Sequence, residues 1–194
     1  MPFSTDTSWP PGLLKIFEPY RSKRPEDYIL FGHYDKLLNY CFGDSFEFFV
    51  LPQNPLGDDI SRDIDLGDFA AFLIVVDTER RPVLIAEVKD KEWAASENFR
   101  FEADKQLRRW YDFLSEDCVH PRLWGLSLLG TSVRVYSANT ATGYIEPPYK
   151  GRTREGYIIK EFLKEEWNMD ILSQKGFDKM KEIVEDINIA SAAL

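Results

Sequence analysis

Residues 82–91 read PVLIAEVKDK. The stretch begins as a buried strand and is then broken by Glu87 and Lys89, two positions apart. Side chains alternate faces along a strand, so Glu87 and Lys89 project together while Val88 points away. An isolated carboxylate or ammonium inside an apolar layer is costly and has to be paired. How this strand is housed therefore decides both the architecture and the chemistry of the chain.

Working outward, FAAFLIVVD (69–77) is a second, nearly continuous apolar strand, and TERRP (78–82) supplies the turn between them. So short a link implies an antiparallel hairpin, and apolar residues on both faces imply that it is central and covered on each side. Downstream, ENFRFEADKQLRRWYDFL (97–114) is expected to be helical, with Phe99, Ala103, Leu107, Trp110 and Leu114 as its buried stripe. RLWGLSLL (122–129) and SVRVYSA (132–138) read as strands joined at a Gly-Thr turn. Residues 139–160 read as a long loop, and Ser173 as the N-cap of a last helix that buries Phe177, Met180, Val184 and Ile187. Upstream, Tyr34, Leu37, Leu38 and Cys41 mark a helix ended by Gly43, with His33 ahead of its start. FEFFVLP (46–52) reads as a strand stopped by Pro52, and residues 54–68 as a Pro-, Gly- and Asp-rich loop. Residues 13–32 show no clear period, and the polar, proline-rich segment 1–12 is expected to be an N-terminal arm on a single domain, 13–194. The order of elements predicts an α/β fold: a mixed β-sheet with a central antiparallel hairpin, flanked by helices.

Composition narrows the classes. The 194 residues, 44% of them hydrophobic and 14% aromatic, suffice for one substantial core. Lys and Arg number 24 against 33 Asp and Glu, for a formal charge of −9, so no overall basic field advertises nucleic acid. Cys41 and Cys118 stand in no metal-binding spacing and read as free thiols of a reducing compartment. The opening MPFSTDTSWPPG has no basic and apolar leader pattern, and no window holds eighteen successive apolar residues. An intracellular protein, cytoplasmic or nuclear and not of the membrane, is expected. The two histidines, His33 and His120, are too few for most histidine-built metal sites and read as surface or capping residues.

Asp68 stands where the first strand of the hairpin begins, so it and the Glu87–Lys89 end of the second strand are brought alongside one another. Two carboxylates with the backbone carbonyl of Val88 make a set of hard oxygen ligands suited to Mg²⁺ or Mn²⁺. A dication there lowers the pKa of a bound water and stabilises charge on a phosphoryl transition state, with Lys89 beside it. The same spacing also suits an ion pair at the solvated end of a strand, worth about 0–1 kcal/mol. On the helix, Gln106 falls about 20° from Phe99 and about 40° from Trp110, which sets an amide within the apolar sector. It is either an ordinary edge residue or an amide in need of a partner.

Asp68, Glu87-Val88-Lys89 and a helical Gln106 together resemble the PD-(D/E)XK, or restriction-endonuclease-like, nuclease superfamily. The stretches YDKLLNYCFGDSF, VLPQ, RPVLIAEVKD, PRLWGLSLLGTSVRVY and DILSQKGFDKM are similar to those of fungal proteins assigned to it, over residues 28–187. The resemblance implies a helix, a four-stranded mixed sheet with a central hairpin and a helix across it. It implies that Asp68 and Glu87 hold the metal, that Lys89 serves the nucleophilic water and that Gln106 orients the site. Many members add a carboxylate from the first helix, where Asp35 is the acid present, while Asp63 and Asp65 are near substitutes for Asp68 or part of a solvated loop. The proline of the motif is replaced by Gly67.

For a nucleic-acid substrate, phosphate contacts are expected from Lys150, Arg152 and Arg154 in YKGRTREG. Lys105, Arg108 and Arg109 on the helix, and Arg21, Lys23 and Arg24 near the start, are further candidates or simply solvated faces. Two functions fit: a Mg²⁺- or Mn²⁺-dependent nuclease, acting on DNA or RNA and able to pair as a homodimer to cut both strands, or a catalytically silent descendant serving as an interaction module. The acidic balance favours the second, the intact acid, acid, lysine and glutamine set the first. A small-molecule enzyme on another α/β fold lacks support, since no G-x-G-x-x-G, P-loop or G-x-S-x-G pattern occurs.

Overall fold

The computed structural model describes residues 2–22, 27–43, 46–53, 71–151 and 161–194. Among them the fold is mixed α/β, a seven-stranded mixed sheet flanked by helices. The strands are β1 (Phe48–Gln53), β2 (Ala71–Asp77), β3 (Pro82–Lys89), β4 (Arg122–Leu129), β5 (Ser132–Asn139), β6 (Ile145–Glu146) and β7 (Met169–Asp170). The order is β1-β2-β3-β4-β5-β6, with β7 also on β5. All neighbours are antiparallel except β3 and β4, which run parallel and so need a crossover. The helices are α1 (Pro2–Thr5), α2 (Pro11–Ser22), α3 (Asp27–Phe42), α4 (Glu97–Leu114) and α5 (Gln174–Ala192). The crossover from β3 to β4 is a short 3₁₀ helix, Lys91–Ala95, followed by α4.

The hairpin expected from the sequence is β2–β3, Ala71 lying opposite Val88 and Phe72 opposite Glu87. Asp77 builds its turn: its Oδ1 accepts from the backbone N–H groups of Glu79 and Arg81, and its Oδ2 from Arg81 Nε at 2.7 Å. Every residue of β3 is buried, as expected of a strand covered on both sides. On one face Leu84, Ala86 and Val88 join a cluster with Phe17 of α2, Leu37 and Leu38 of α3, and Met180 and Ile183 of α5. On the other, Ile85 joins Phe72, Ile74 and Tyr136 of the sheet and Leu107, Trp110 and Tyr111 of α4. Each Leu, Ile, Val, Phe or Met among these contributes about 1.5–3 kcal/mol by leaving water. Gly125 lets α4 approach closely, since a Cβ there would lie 2.3 Å from the Tyr111 hydroxyl.

Several expectations are corrected. Segment 1–12 is not a free arm: Phe3 and Trp9 are buried, Phe3 meets Phe177 edge-on at 5.3 Å, and Trp9 Nε1 donates to the carbonyl of Ile171 at 2.8 Å. Residues 11–22 are helical, where no clear period was read, and Leu13 and Phe17, four apart, are their buried face. His33 sits inside α3, not ahead of it, and its ring lies 5.2 Å from Phe17. Strand β1 runs through Pro52, opposite Leu73; among the described residues it pairs with β2 alone, and an edge position there absorbs the missing N–H. The span 139–160 is not all loop, since Ile145–Glu146 pair with β5. His120 is 1% exposed, with Nε2 3.3 Å from Ser191 Oγ, so it is a core residue and not a surface one. Burial lowers its pKa. Cys41 and Cys118 are buried free thiols, and Ser173 caps α5 by accepting from Gly176 N–H at 3.1 Å. No helix among the described residues is long and apolar enough to cross a membrane.

Candidate functional site

Strand β3 delivers Glu87 and Lys89 to the α4 face of the sheet, below Ile85, and both are essentially inaccessible, at 0% and 2% exposure. Lys89 Nζ stands 3.7 Å from Glu87 Oε1, close enough for an ion pair and too far for a good hydrogen bond. Register places Ser127 of β4 beside Glu87 and Arg134 of β5 beside Ser127, so the three form one row across the sheet. Ser127 Oγ donates to Glu87 Oε2 at 3.4 Å. Trp167 Nε1 in turn donates to the Ser127 carbonyl at 3.1 Å. Trp93, on the 3₁₀ turn, lays its ring 3.7 Å from Lys89 Nζ, a cation–π contact in a dry setting. Lys89 O accepts from Gly130 N–H, which fixes the strand end to the β4–β5 turn.

Glu87 is only partly satisfied. Burial raises its pKa to about 7, opposed by the Lys89 ammonium and the Ser127 hydrogen bond, with the Asp104 carboxylate adding to the rise. Its Oε1 accepts no hydrogen bond. That vacancy on a hard oxygen, on the strand that also carries the Val88 carbonyl, suits a divalent cation, which would return the carboxylate to its ionised form. Asp68, the second expected ligand, lies outside the described residues, as do Asp63 and Asp65. Among the described residues no three His, Cys, Asp or Glu side chains gather to hold a metal.

Asp104 is not a spare ligand. Buried in the middle of α4, its Oδ1 accepts from Arg134 Nη1 at 2.6 Å and from the Tyr136 hydroxyl at 2.8 Å, and its Oδ2 accepts from Arg108 Nε at 2.8 Å. Burial, and then the Asp104 carboxylate, raise the Tyr136 pKa well above the usual phenol value against the charges of Arg134 and Arg108. Arg108 also donates to the Pro147 carbonyl at 2.6 Å. Sequence reasoning placed Arg108 among free phosphate contacts; it is instead a bound partner of Asp104.

Of the expected stripe of α4, Ala103, Leu107 and Trp110 are buried, Trp110 lying 4.7 Å from Phe72 of β2, whereas Phe99 is 41% exposed and Arg100, Asp104 and Tyr111 are buried as well. Gln106 sits on the flank of this stripe, half-buried, its Oε1 enclosed without a hydrogen bond. Lys150 is exposed and donates to Glu166 Oε1 at 2.6 Å; Arg152 and Arg154 lie outside the described residues. Lys105 pairs with Glu102 at 3.4 Å, and Arg109 is exposed. Asp35, on α3, is engaged by Asn39 at 3.1 Å. The structure thus unites Glu87 with Lys89 and adds Ser127, Asp104, Arg134, Trp93 and Trp167, which the sequence reading passed over. The recoverable signals were the i, i+4, i+7, i+11 spacing of Arg100, Asp104, Leu107 and Tyr111, and the alternation of Val133 and Val135 with Arg134 and Tyr136.

Two clefts among the described residues lie elsewhere. One of about 270 Å³ is lined by Asp77, Arg81, Asn188 and Ser191, and one of about 260 Å³ by Tyr111, Asp112, Thr140 and Ile145. Comparison with protein-family models, curated proteins and solved structures finds no match for this chain.

Proposed function

We propose that the chain is a metal-dependent phosphodiesterase of the nuclease type, hydrolysing nucleic acid, with DNA the expected substrate, through a PD-(D/E)XK-like site on a restriction-endonuclease-like core. The observation that carries this reading is the Glu87–Lys89 pair: an enclosed carboxylate with an unused oxygen, 3.7 Å from an enclosed ammonium, on the central strand. Such a pair returns less in attraction than it costs in lost hydration, and an apolar pair would serve stability better, so its place in the sheet calls for a use. The element order supports the reading: α3, three antiparallel strands β1–β3, the α4 crossover, then β4 parallel to β3.

Asp68, Glu87 and the Val88 carbonyl would hold Mg²⁺ or Mn²⁺, which when bound supplies charge neutralisation and an acidified water. Lys89, held by Glu87 and Trp93, presents a positive charge beside that position and stabilises an oxyanion developing on the phosphorus. Gln106 has an unused amide oxygen with which to orient water. The test is calorimetric titration of Mn²⁺ into wild type and Glu87→Ala, together with cleavage assays on single-stranded, duplex and branched DNA and on RNA. Heat of binding is expected from wild type alone, and cleavage that needs the metal. Negligible heat from both proteins would remove the metal site from consideration.

The second reading, a catalytically silent member acting as an interaction module, is favoured by one observation: Glu87 and Lys89 are at most 2% exposed. It requires absence of cleavage with either metal on all four substrates.

A further inference from the structure

The row that contains Glu87 ends at Arg134, and Arg134 leads to the surface. Its guanidinium is 3% exposed, yet Nε and Nη2 make no hydrogen bond; only Nη1 is used, by Asp104 and Tyr136. Glu166 Oε2 stands 3.6 Å from Nε, an ion pair without a hydrogen bond. The other oxygen of Glu166 accepts from Lys150 Nζ at 2.6 Å. One carboxylate is thus clasped between a buried guanidinium and an exposed ammonium, at the open end of the polar row. The hydrogen bond from Lys150, and then the charge of Arg134, hold the Glu166 carboxyl below the usual carboxylate range despite partial burial.

We infer that Glu166 is an internal stand-in for a phosphate, occupying a clamp formed by Arg134 and Lys150 that takes a backbone phosphate of nucleic acid once Glu166 swings aside. This rests on the nuclease reading of the neighbouring site. A phosphodiester offers the same charge with more widely spread acceptor oxygens, so it can serve both unused N–H groups of Arg134 and Lys150 together. Arg134, Arg108 and Lys150 against Asp104 and Glu166 sum to one positive charge; removing Glu166 from the clamp leaves two. The chain's formal charge of −9 makes such a local, gated excess the more needed. Release asks little of the fold. Glu166 is one-third exposed, while adjacent Trp167 stays anchored by its bond to Ser127 and its stacking 5.5 Å from Arg134.

The experiment is titration of metal-free full-length protein with inorganic phosphate, followed through the Arg134 Nε–Hε resonance, and with a labelled single-stranded oligonucleotide, followed by anisotropy. Wild type, Glu166→Gln and Glu166→Gln/Lys150→Met are compared, all substitutions being at partly exposed positions, with thermal melts to verify folding. Glu166→Gln is expected to bind both probes at least about ten-fold more tightly than wild type, and the Lys150→Met addition to cancel most of that gain. Unchanged phosphate affinity in Glu166→Gln, a gain indifferent to Lys150, or a gain for inorganic phosphate without one for the oligonucleotide would each overturn the inference. Because no metal is present, the result is independent of catalysis. Tighter binding without cleavage under Mn²⁺ leaves the clamp standing and removes the nuclease; cleavage without tighter binding does the reverse.

Discussion

Strand β3 has two faces that obey different rules. Leu84, Ala86 and Val88 lie in an unbroken apolar cluster against α2, α3 and α5. Ile85, Glu87 and Lys89, one residue out of phase, start in an apolar cluster under α4 and then enter a polar row with Ser127, Arg134 and Asp104. Beyond that row apolar packing resumes with Trp93, Phe101, Phe162 and Trp167. The first face contributes stability and nothing else. The second interrupts its own core with five charged or hydroxylic groups, and within that interruption the groups divide again. Asp104 is saturated by three partners, whereas Glu87 keeps an unused oxygen. A saturated set is scaffold; an unsaturated one is where a ligand has something to gain.

The largest effect that breaks this contrast is expected from Asp104→Ala. It strands Arg134 and Arg108, and removal of one partner of a buried ion pair costs about 3–5 kcal/mol. On the apolar face Leu84→Ala should cost about 2–5 kcal/mol through the cavity it leaves. Both are read from denaturant midpoints. The two differ in a second measurement: Leu84→Ala, so long as it folds, leaves Mn²⁺ binding intact, whereas metal affinity that falls with it would mean the faces are not independent.

Glu87→Gln sharpens the comparison through pH. A carboxyl whose pKa is raised from 4.5 to about 7 on folding binds its proton more strongly in the native state. Its burden on stability is therefore absent below the unfolded value, grows as pH rises through this window, and is complete above about 7. Glu87→Gln resembles the protonated form throughout. The stability of Glu87→Gln relative to wild type should thus rise by about 3 kcal/mol between pH 4.5 and pH 8. A flat difference across that range would show that Glu87 is ionised at no cost in the fold.

The hairpin β2–β3 and helix α5 were legible because an unbroken apolar run in the one and a strong period in the other meet a chemical stop, the Asp77 turn and the Ser173 cap, and α4 was legible by its period alone. The N-terminal helices were not, because Phe3 and Trp9 are buried by distant partners, Phe177 and Ile171, which no local pattern encodes. The site was half legible. Glu87 and Lys89 stand out as charges in an apolar strand. Ser127, Asp104 and Arg134 do not, since each is an unremarkable polar residue until register sets it beside the others. In the α4 stripe Ala103, Leu107 and Trp110 are buried as read, but Phe99 was misjudged because it is apolar yet stacks outside the core on Trp93, 5.0 Å away, while Arg100 and Asp104 are buried.

The smallest effect on stability, and the sharpest on function, is expected from Lys89→Met. The side chains are similar in length and volume, and the thioether can take the place of the ammonium over Trp93. Removing one member of a buried pair ordinarily leaves a costly bare charge. Here Glu87 has a pKa of about 7 even with Lys89 present, and loss of the ammonium raises it further, so at pH 6 the acid simply stays protonated. Stability at pH 6 should then lie within about 1 kcal/mol of wild type. Metal-dependent cleavage, in contrast, should be lost, since no other described ammonium touches Glu87. A loss of more than about 3 kcal/mol at pH 6 would show instead that Lys89 is there to hold the sheet together, and would move Glu87 from the unsaturated half of the row to the saturated one.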